Sequence, residues 1–439
     1  MADNAGRRRR VAMLAHTCYL RDPRVRREAE ALAETGVDVH VICLSEYSAA
    51  GVEEPRTAVV RGVRLHRLPI RRKRGSLARY FYEYLATALL GALKLTTLHV
   101  SGRLDVVHVH NMPDLLVLAA IVPSLTGAKV VLDVHDPMPE LFMSWDGRAS
   151  NRLLVGLLRL QERLSCAFAD RIVSVNESMR DNLEAKGNPP TKIFILNNFP
   201  DQTLFPFREL PVVWPQHPDR LVVLYCGTVT EHYDVGLAVR AIAKLRTEMP
   251  VTLRILGEGN KLNEVLDLAS TLGVRESVEH LGLVPVDRVL LEMRKADVGI
   301  SCHRAGLFGD LYFSTKIVEY LTQSLPVLSP RTKTIRKYLP EDCIFYFEPG
   351  SEDSLVERLR FIWANRSEVV HRLATARGLL PQLSWQAEKS KFVSFYAGVM
   401  GDAAEPASLP SEVASPSRGR DGRAASVDAS INAKADQIL

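Results

Sequence analysis

The fold class is decided by residues 105–136, which read DVVHVHNMPDLLVLAAIVPSLTGAKVVLDVHD. Two short apolar runs, at 105–110 and 128–135, lie on either side of an apolar helical pattern at 113–126. A strand, a helix and a second strand in this order are typical of a βαβ unit in a parallel sheet. We therefore expect an α/β protein built on parallel sheets.

The same alternation extends from this stretch in both directions. Towards the N-terminus, strands are predicted at 9–16, 37–44 and 62–70, with a helix at 23–35 that Asp22 caps and Gly36 ends. Towards the C-terminus, strands are predicted at 171–175 and 192–198, with a helix that opens near Asn176 between them. The segment at 199–220 has five prolines and little periodicity, which favours a connection between domains.

After that segment the pattern begins again. Strands are predicted at 221–227, 251–257, 278–282, 298–302, 325–329 and 343–347, and helices at 235–247, 260–272, 287–295 and 314–323. The chain therefore divides into two consecutive Rossmann-like, doubly wound domains, at 9–199 and 221–383, joined by a linker at 200–220. Ligands in such folds bind beyond the C-terminal ends of the strands, so the cleft between the two domains is the expected site.

The last part of the chain differs from both domains. We expect a helix at 384–400 to pack back on the N-terminal domain. The tail at 401–439 is rich in Ala, Ser, Pro and Gly and contains no aromatic residue. Such a segment cannot bury enough apolar surface to offset its ordering entropy, so we expect it to be disordered.

The composition excludes several classes of protein. Of the 439 residues, 46% are hydrophobic and 24% are charged, which is typical of a globular protein, and no apolar run reaches the roughly 20 residues of a membrane span. The basic N-terminus is not followed by the apolar run of a signal peptide. The six cysteines form no CxxC pair, so we expect a cytoplasmic protein without a disulfide framework, a zinc site or a thioredoxin-type centre.

The positive charge is concentrated in one region. The net charge is +5, but residues 56–103 contain eleven basic residues and one acid, a balance of +10, so the rest of the chain sums to −5. Without interleaved stacking aromatics, this distribution does not predict nucleic-acid binding. Residues 71–100, four cations followed by an aromatic and apolar helical stretch, suit an anionic membrane surface. The alternative is a buried helix preceded by a solvated loop.

The C-terminal half contains a candidate anion site in GLFGDLYFSTKIVEYL, residues 306–321. Ser314 or Thr315 can cap the helix that begins there, and the first turn of a helix attracts anions through its free N–H groups and its dipole. Lys316 in that turn would add a positive charge, and Glu319 could accept two hydrogen bonds from a ribose diol. The alternative is an ordinary capped helix with an i,i+3 Lys–Glu pair.

The stretch STKIVEYL, followed by LPV, resembles the donor-site motif of the family-four glycosyltransferases, which have the GT-B fold. The resemblance implies transfer of a sugar from a nucleotide-diphosphate donor to an acceptor hydroxyl, with retention of configuration and with neither a metal nor another cofactor. It assigns the ribose to Glu319. Many members have another glutamate eight positions earlier, where this chain has Leu311, and the adjacent Asp310 is the candidate to hold the donor sugar instead.

Two glycine-containing loops of the C-terminal half resemble the family's other donor contacts. In YCGTVTEHYDVG, Gly227 and Thr228 would let the backbone approach the diphosphate, and in RILGEGN, Gly257 and Gly259 would do the same beside the nucleotide. Many members carry an arginine and a lysine just after the first loop, where this chain reads TEH at 230–232. Lys316 would then supply the positive charge that those two residues provide in other members.

The N-terminal half resembles the acceptor side of the family. LDVHDPMPE is similar to the family pattern D-x-H-(D/E)-x-x-P-E, in which the histidine lies against the transferred sugar. The resemblance implies catalytic roles for His135 and Asp136, and it places four further residues on the acceptor side: Arg24, Asn111, Asp114 and Glu140. From the residues alone, a histidine at a strand end is more often structural, and Arg24 fits an exposed helix face laced with Arg–Glu pairs.

Other functions compete with sugar transfer. A dinucleotide enzyme is disfavoured because the first turn, HTCYLRDPR, contains no glycine. A sugar-nucleotide epimerase of the same architecture and a non-catalytic nucleotide-sugar-binding partner in glycan assembly remain alternatives. Under the transferase hypothesis, the acceptor is a glycan, a glycolipid or a lipid-linked precursor, as in polysaccharide biosynthesis. The protein would then lie in the cytoplasm or peripherally on the cytosolic face of the plasma membrane.

Overall fold

The computed structural model describes residues 7–47, 53–71, 77–144, 151–209 and 214–401. The predicted tail beyond residue 401, part of the predicted linker and the basic run at 72–74 lie outside these ranges. Two sheets of parallel strands, one in each half of the chain, form the framework of the described residues. The predicted α/β class with two successive Rossmann-like halves is thereby confirmed.

The first sheet has eight strands: β1 (Arg10–Leu14), β2 (Asp38–Leu44), β3 (Thr57–Val60), β4 (Val63–Leu68), β5 (Val106–His110), β6 (Lys129–Val134), β7 (Arg171–Ser174) and β8 (Ile193–Ile195). They lie in the order β3-β4-β2-β1-β5-β6-β7-β8, and β3 runs antiparallel to β4. The central strands β1 and β5 are buried along almost their whole length, which explains their uninterrupted apolar runs. The sequence pattern misses β3, because its four half-exposed residues mark no core face.

Helices cover both faces of this sheet: α1 (Pro23–Glu34), α2 (Leu77–Ser101), α3 (Ile121–Leu125), α4 (Met138–Met143), α5 (Arg152–Phe168) and α6 (Glu177–Ala185). Short 3-10 helices occur at Tyr19–Arg21, Asp114–Ala120 and Pro190–Lys192. Helix α1 begins as predicted, because the Asp22 carboxylate accepts hydrogen bonds from the backbone N–H groups of Arg24 and Val25, both at 3.2 Å. It ends before Gly36, whose φ of 90° is left-handed.

The predicted helix at 113–126 is not one continuous α-helix. The 3-10 helix Asp114–Ala120 occupies its first part, and α3 occupies the rest. Pro123 has no N–H group to donate to the carbonyl four residues earlier, so the α-helical hydrogen-bond pattern cannot run through the whole segment. The segment nevertheless makes the predicted crossover between β5 and β6, which are parallel neighbours.

The second sheet has six parallel strands: β9 (Leu221–Cys226), β10 (Val251–Leu256), β11 (Val278–Gly282), β12 (Val298–Ile300), β13 (Val327–Pro330) and β14 (Phe345–Phe347). They lie in the order β11-β10-β9-β12-β13-β14. The accompanying helices are α7 (Val235–Leu245), α8 (Leu262–Thr271), α9 (Val286–Arg294), α10 (Thr315–Thr322), α11 (Lys333–Tyr338), α12 (Glu352–Ala364) and α13 (Arg366–Leu379), with a 3-10 helix at Arg275–Ser277. The strand order reverses between β9 and β12, which makes their C-terminal ends the usual ligand position.

The last described helix, α14 (Trp385–Met400), returns to the first half of the chain. Its buried aromatic residues Trp385, Phe392 and Tyr396 join the apolar core that covers one face of the first sheet, together with Val11 and Met13 of β1. This helix therefore fastens the end of the second half to the first. Among the described residues, no helix combines the length and apolar character that a membrane span requires.

Candidate active site

The two halves contact each other through residues that follow strand ends. The Asn176 side-chain amide, after β7, donates a 2.8 Å hydrogen bond to the carbonyl of Leu311 in the second half. Ser144 Oγ, at the end of α4, lies 3.2 Å from His232 Nδ1, which follows β9. The C-terminal ends of the two sheets therefore face one another, as expected of a cleft between doubly wound domains.

On the first half, His135 directly follows β6 and is held at two points. Its backbone N–H donates a 2.8 Å hydrogen bond to Asn111 Oδ1, and its Nε2 lies 2.8 Å from Asp133 Oδ2. The Asn111 amide donates to the Asp136 carbonyl at 2.7 Å and to Asp114 Oδ1 at 2.9 Å. The structure thus brings together four of the predicted residues, and it gives Asn111 the role of fixing the loop that carries His135.

A buried ionic cluster lies beneath this loop. The Arg24 guanidinium lies 2.6 Å from Asp133 Oδ1 and 3.0 Å from Glu28 Oε1. Burial would raise the pKa of the Asp133 carboxyl, but Arg24 and His135 hold that pKa well below its usual range. Arg24 is only 6% exposed, so the alternative of a solvated helix face is wrong for this residue. Both of its carboxylate partners are buried as well, so Arg24 supports the site from below.

Sequence reasoning missed most of this cluster. His108 and His110 lie two positions apart on β5, and Asp133 and His135 are spaced in the same way at the end of β6. Residues two positions apart on a strand share one face, so each pair projects to the same side of the sheet. The alternating HVH and DVH patterns were therefore the signal that could have found Asp133 beneath His135.

The predicted acceptor residues Asp114 and Glu140 belong to a second buried cluster. Lys186 Nζ lies 2.8 Å from Glu140 Oε1 and 2.7 Å from Glu162 Oε2. Burial raises the pKa of Asp114 to about 6 and that of Glu162 to about 7, and Lys186 opposes both shifts. The neighbouring carboxyl groups add to the effect of burial, so proton binding is favoured in this cluster. Asp114 and Glu140 are both buried in this cluster, and Asp114 accepts the hydrogen bond from Asn111.

On the second half, α10 carries the predicted donor residues. Ser314 occupies the N-cap position, but its hydroxyl makes no capping hydrogen bond, contrary to the sequence prediction, and Thr315 is the first helical residue. Lys316 Nζ lies 3.0 Å from Glu319 Oε2, so the i,i+3 pair forms. Burial disfavours the charged form of Lys316, but Glu319 more than offsets this, and the pKa of the lysine is raised. Lys316 is therefore a permanent cation at the start of this helix.

The predicted glycines hold two loops of the second half together. A Cβ atom at Gly257 would lie 1.9 Å from the carbonyl oxygen of Gly227, and one at Gly259 would lie 1.9 Å from that of Val229. The same loops are joined by a 2.9 Å hydrogen bond from the Gly227 N–H to the Leu256 carbonyl. The glycines are thus required by main-chain packing between the loops, whatever the loops bind. Thr228 is exposed beside them.

The position before α10 where many family members have a glutamate faces the other half. Leu311 packs against the apolar core of the first half, and its carbonyl accepts the Asn176 hydrogen bond. An apolar side chain therefore suits this position. Asp310 is partly buried, and its carbonyl accepts a hydrogen bond from the Thr334 hydroxyl.

Aromatic side chains near α10 form a cluster that the sequence did not predict: His232, Tyr233, His303, Phe308 and Tyr312. The hydroxyls of Tyr233 and Tyr312 lie 3.1 Å apart, and the rings of Phe308 and Tyr312 stack with centroids 5.7 Å apart. Burial raises the pKa of Tyr233; Asp136 of the first half adds to this rise, and Lys316 opposes it. Tyr233 therefore lies within electrostatic reach of predicted residues from both halves.

Comparison with known proteins gives matches along most of the chain. Residues 22–198 match a family model described as "Glycosyl transferase 4-like domain", and residues 207–377 match one described as "Glycosyl transferases group 1". A curated relative, an uncharacterized glycosyltransferase of Methanocaldococcus jannaschii, is 21% identical over 254 residues, which are 54% of this chain and 63% of the relative. The match thus spans less than two thirds of that relative's length.

Solved structures share the architecture at low sequence identity. Sucrose-phosphate synthase from Thermosynechococcus elongatus superposes with a TM-score of 0.73 at 14% identity, over 90% of this chain and all of that one. Anabaena HepE in complex with UDP-glucose gives 0.65 at 14% identity, over 89% and 99% of the two chains. WaaG, a glycosyltransferase involved in lipopolysaccharide biosynthesis, gives 0.62 at 17% identity, over 90% and 100%. These likenesses show the GT-B fold.

Proposed function

Because the chain belongs to the family-four-like glycosyltransferases with the GT-B fold, we propose that it transfers a sugar from a nucleotide-diphosphate sugar to an acceptor hydroxyl. The observation that supports the proposal is that the strand ends of the two halves, which carry two unlike sets of groups, contact each other, with Ser144 Oγ 3.2 Å from His232 Nδ1. His135 and Asp136 come from the first half, and the Lys316–Glu319 pair comes from the second.

The proposed reaction depends mainly on stabilising the leaving group. A departing nucleoside diphosphate concentrates negative charge, and Lys316 with the N-terminal end of α10 would stabilise it electrostatically. When the diphosphate binds Lys316, Glu319 would leave its ion pair with the lysine. It would then accept hydrogen bonds from the ribose hydroxyls. In this proposal no metal ion is needed at the diphosphate. Configuration is retained, and no carboxylate is assigned as a nucleophile.

On the other side of the cleft, His135 would hold the donor sugar by a hydrogen bond. Its ring is fixed by Asp133, and its backbone by Asn111, so little ordering entropy remains to be lost when the sugar binds. Asp136 is partly buried, and burial raises its pKa. We assign these two residues to the reacting end of the donor, and Asn111 to the positioning of both.

Transfer of label from donor to acceptor tests this function. The HepE structures contain UDP, or UDP with glucose, or UDP-glucose, so UDP-sugars come first in the donor panel, with glycan and lipid-linked acceptors. The wild type should transfer label, Lys316→Ala should lower transfer by about 10²–10³-fold, and Glu319→Ala should abolish it. Lys333→Ala, an exposed lysine on α11, is the matched control and should retain activity.

The same experiment separates the two alternative functions. An epimerase would convert the sugar of the labelled donor when no acceptor is present. A non-catalytic partner would bind a nucleotide sugar but turn over no donor and acceptor pair. Either result, obtained with folded protein, would contradict the proposed transfer.

We further propose that the protein binds an anionic membrane surface, where a lipid-linked acceptor would be found. Helix α2 is buried along one face only, and the other exposes large apolar side chains at close to helical spacing: Phe81, Tyr82, Leu85, Leu89 and Leu93. Phe81 is 70% exposed, so the alternative of a buried helix accounts for one face of α2 and leaves the other unexplained. Contiguous exposed apolar surface of this kind is typical of an interaction site.

Helix α5 also exposes apolar side chains. Both α2 and α5 pack against the 3-10 helix Asp114–Ala120 in the first half. The outer face of α5 alternates leucines with arginines, all exposed: Arg152, Leu153, Leu157, Arg159, Leu160, Arg163 and Leu164. Apolar side chains among cations suit the boundary between lipid headgroups and acyl chains.

Vesicle flotation tests the membrane proposal. The wild type should float with anionic vesicles more than with neutral ones, and replacement of Leu89, Leu93 and Leu157 by Ser should reduce this binding strongly. Replacement of Leu283 and Val370, exposed apolar residues of the second half, by Ser is the matched control and should have no effect. Equal binding of both variants to anionic vesicles would contradict the proposed surface.

A further inference from the structure

We propose that two histidines and two carboxylates buried in the first half form a binding site for a divalent transition metal ion: Glu28, His108, His110 and Asp133. Each offers one ligand atom, and these atoms all lie within 4.8 Å of one another. The site lies beneath the loop of His135, on the half opposite α10. It is therefore separate from the diphosphate position, and it does not depend on the proposed sugar transfer.

The fold brings these residues together from three elements. Strands β5 and β6 are parallel neighbours, and their register places His110 directly beside Asp133. His108 lies two positions before His110 and so projects to the same face of the sheet. Glu28 comes from α1, one turn after Arg24, and both side chains of that turn reach the same cluster.

Asp133 Oδ2 is at hydrogen-bond distance from His110 Nδ1, at 3.1 Å, whereas His108 Nε2 is too far from both carboxylates for a direct hydrogen bond. His108 Nε2 lies 3.6 Å from Asp133 Oδ2 and 3.9 Å from Glu28 Oε2, which is too long for a normal hydrogen bond in either case. Two ligands that are each about 2.1 Å from a tetrahedral ion lie roughly 3.4 Å apart. Small adjustments of these side chains would therefore close a coordination sphere around one ion.

Two of the atoms that face each other are without a hydrogen-bond partner in the described part of the chain. Glu28 Oε2 and His108 Nε2 are both completely buried, and neither makes a hydrogen bond there. Unpaired buried polar atoms are rare in native proteins, and a bound ion or water is one of the explanations for them. A metal between these two atoms would satisfy both at once.

The outer atoms of the same groups are already held, as the ligands of metal sites usually are. Arg24 binds Asp133 Oδ1 and Glu28 Oε1, which leaves the second oxygen of each carboxylate turned towards the histidines. The Tyr396 hydroxyl contacts His108 Nδ1, so its Nε2 is the nitrogen available to an ion. Such partners orient the ligands and fix the histidine tautomer.

Charge and ligand type define the class of ion. Two carboxylates against one guanidinium leave a net charge of −1 in a buried place when the histidines are neutral, so a dication can be accommodated. Two imidazole nitrogens with two carboxylate oxygens suit Zn²⁺ or a neighbouring first-row ion, whereas Mg²⁺ and Ca²⁺ prefer oxygen ligands alone. We therefore use Zn²⁺ and Co²⁺ as probes.

Metal binding can be measured directly on the full chain. After removal of metal with a chelator, calorimetric titration with Zn²⁺ should show about one tight site per chain, and Zn²⁺ should raise the melting temperature. Titration with Co²⁺ should give the intense visible absorption of a four-coordinate ion. Glu28→Gln, which keeps the shape of the side chain, should weaken Zn²⁺ binding by at least about tenfold.

His66→Gln is the matched control, because His66 pairs with His40 in another cluster of the same sheet. This variant should bind Zn²⁺ as the wild type does. Failure of the folded wild type to bind either ion would overturn the proposal. Undiminished binding by folded Glu28→Gln would also overturn it, because the ion would then lie elsewhere. Sugar transfer is measured in a separate experiment. A failure of metal binding therefore does not contradict sugar transfer, and a failure of sugar transfer does not contradict metal binding.

Discussion

The two halves of the molecule have the same βα architecture but build their parts of the cleft in different ways. In the first half, buried charges hold the exposed residues: Asp133 fixes the ring of His135, and Arg24 holds Asp133. In the second half, main chain packs on main chain through Gly257 and Gly259, and one partly exposed cation stands at the start of α10. One fold can therefore position a site either by buried ion pairs or by backbone contact.

The most severe loss should be in the stability of the first half. Asp133→Ala leaves the buried Arg24 with Glu28 as its remaining carboxylate partner, and losing one member of a buried ionic cluster typically costs about 3–5 kcal/mol. Urea unfolding in the presence of a chelator measures this loss. Asp353→Ala removes an exposed partner of Lys244 and should leave the stability close to that of the wild type. Equal effects would show that the buried cluster is not a stabilising framework.

The next effect separates chemistry from stability in the second half. Lys316→Ala should lower turnover by about 10²–10³-fold, because a positive charge aimed at the leaving group acts in the transition state. Its melting temperature should change little, since Lys316 is partly exposed and its ion pair with Glu319 is local. A Lys316→Ala variant with a clearly lower melting temperature, or one with the turnover of the wild type, would contradict a role of Lys316 in the reaction.

A smaller effect tests the backbone contact between the donor loops. Gly259→Ala forces a Cβ atom against the carbonyl of Val229, which must move, at a cost of about 1–3 kcal/mol. We expect weaker nucleotide binding, because the two loops separate. Gly156→Ala on α5 meets no atom within 4 Å and is the control. If both variants bind nucleotide as the wild type does, the loops do not contact the donor.

The smallest effect concerns pH and the second buried cluster. The Glu162 pKa is raised from 4.5 to about 7, so the folded state binds a proton more tightly than the unfolded state does. The stabilising contribution of this group is therefore complete below about pH 4.5 and is lost as the pH rises through about 7. Glu162→Gln should flatten the decline in unfolding free energy between these values. Glu357→Gln, an exposed change, should leave the decline as it is in the wild type.

The sequence predicts the framework well, because alternation of buried strands and capped helices is a local pattern. It does not predict α5, whose leucines at 153, 157, 160 and 164 point outwards, so apolar periodicity there does not mark a core face. It suggests that Gly257 lets the backbone approach a ligand, whereas the atom approached is the carbonyl of Gly227. The glycine was detectable, but the identity of its neighbour depends on tertiary structure.

The site was predictable where one stretch carries several of its residues. His135, Asp136 and the α10 motif came from such stretches, although their catalytic and binding roles remain predictions. The contact of Tyr233 with Tyr312 joins positions 79 residues apart and has no local signal. The same is true of Tyr396, which reaches His108 from the far end of the chain.

Nucleotide binding by the second half underlies the proposed transfer, and a thermal-shift series measures it without any need for an acceptor. UDP, GDP and ADP would each be added to the wild type and to Glu319→Ala, with Lys333→Ala as the control. We expect one nucleotide to raise the melting temperature of the wild type and of the control, and Glu319→Ala to lose this shift. A Glu319→Ala variant stabilised as strongly as the wild type, or no shift with any nucleotide, would contradict nucleotide binding at α10.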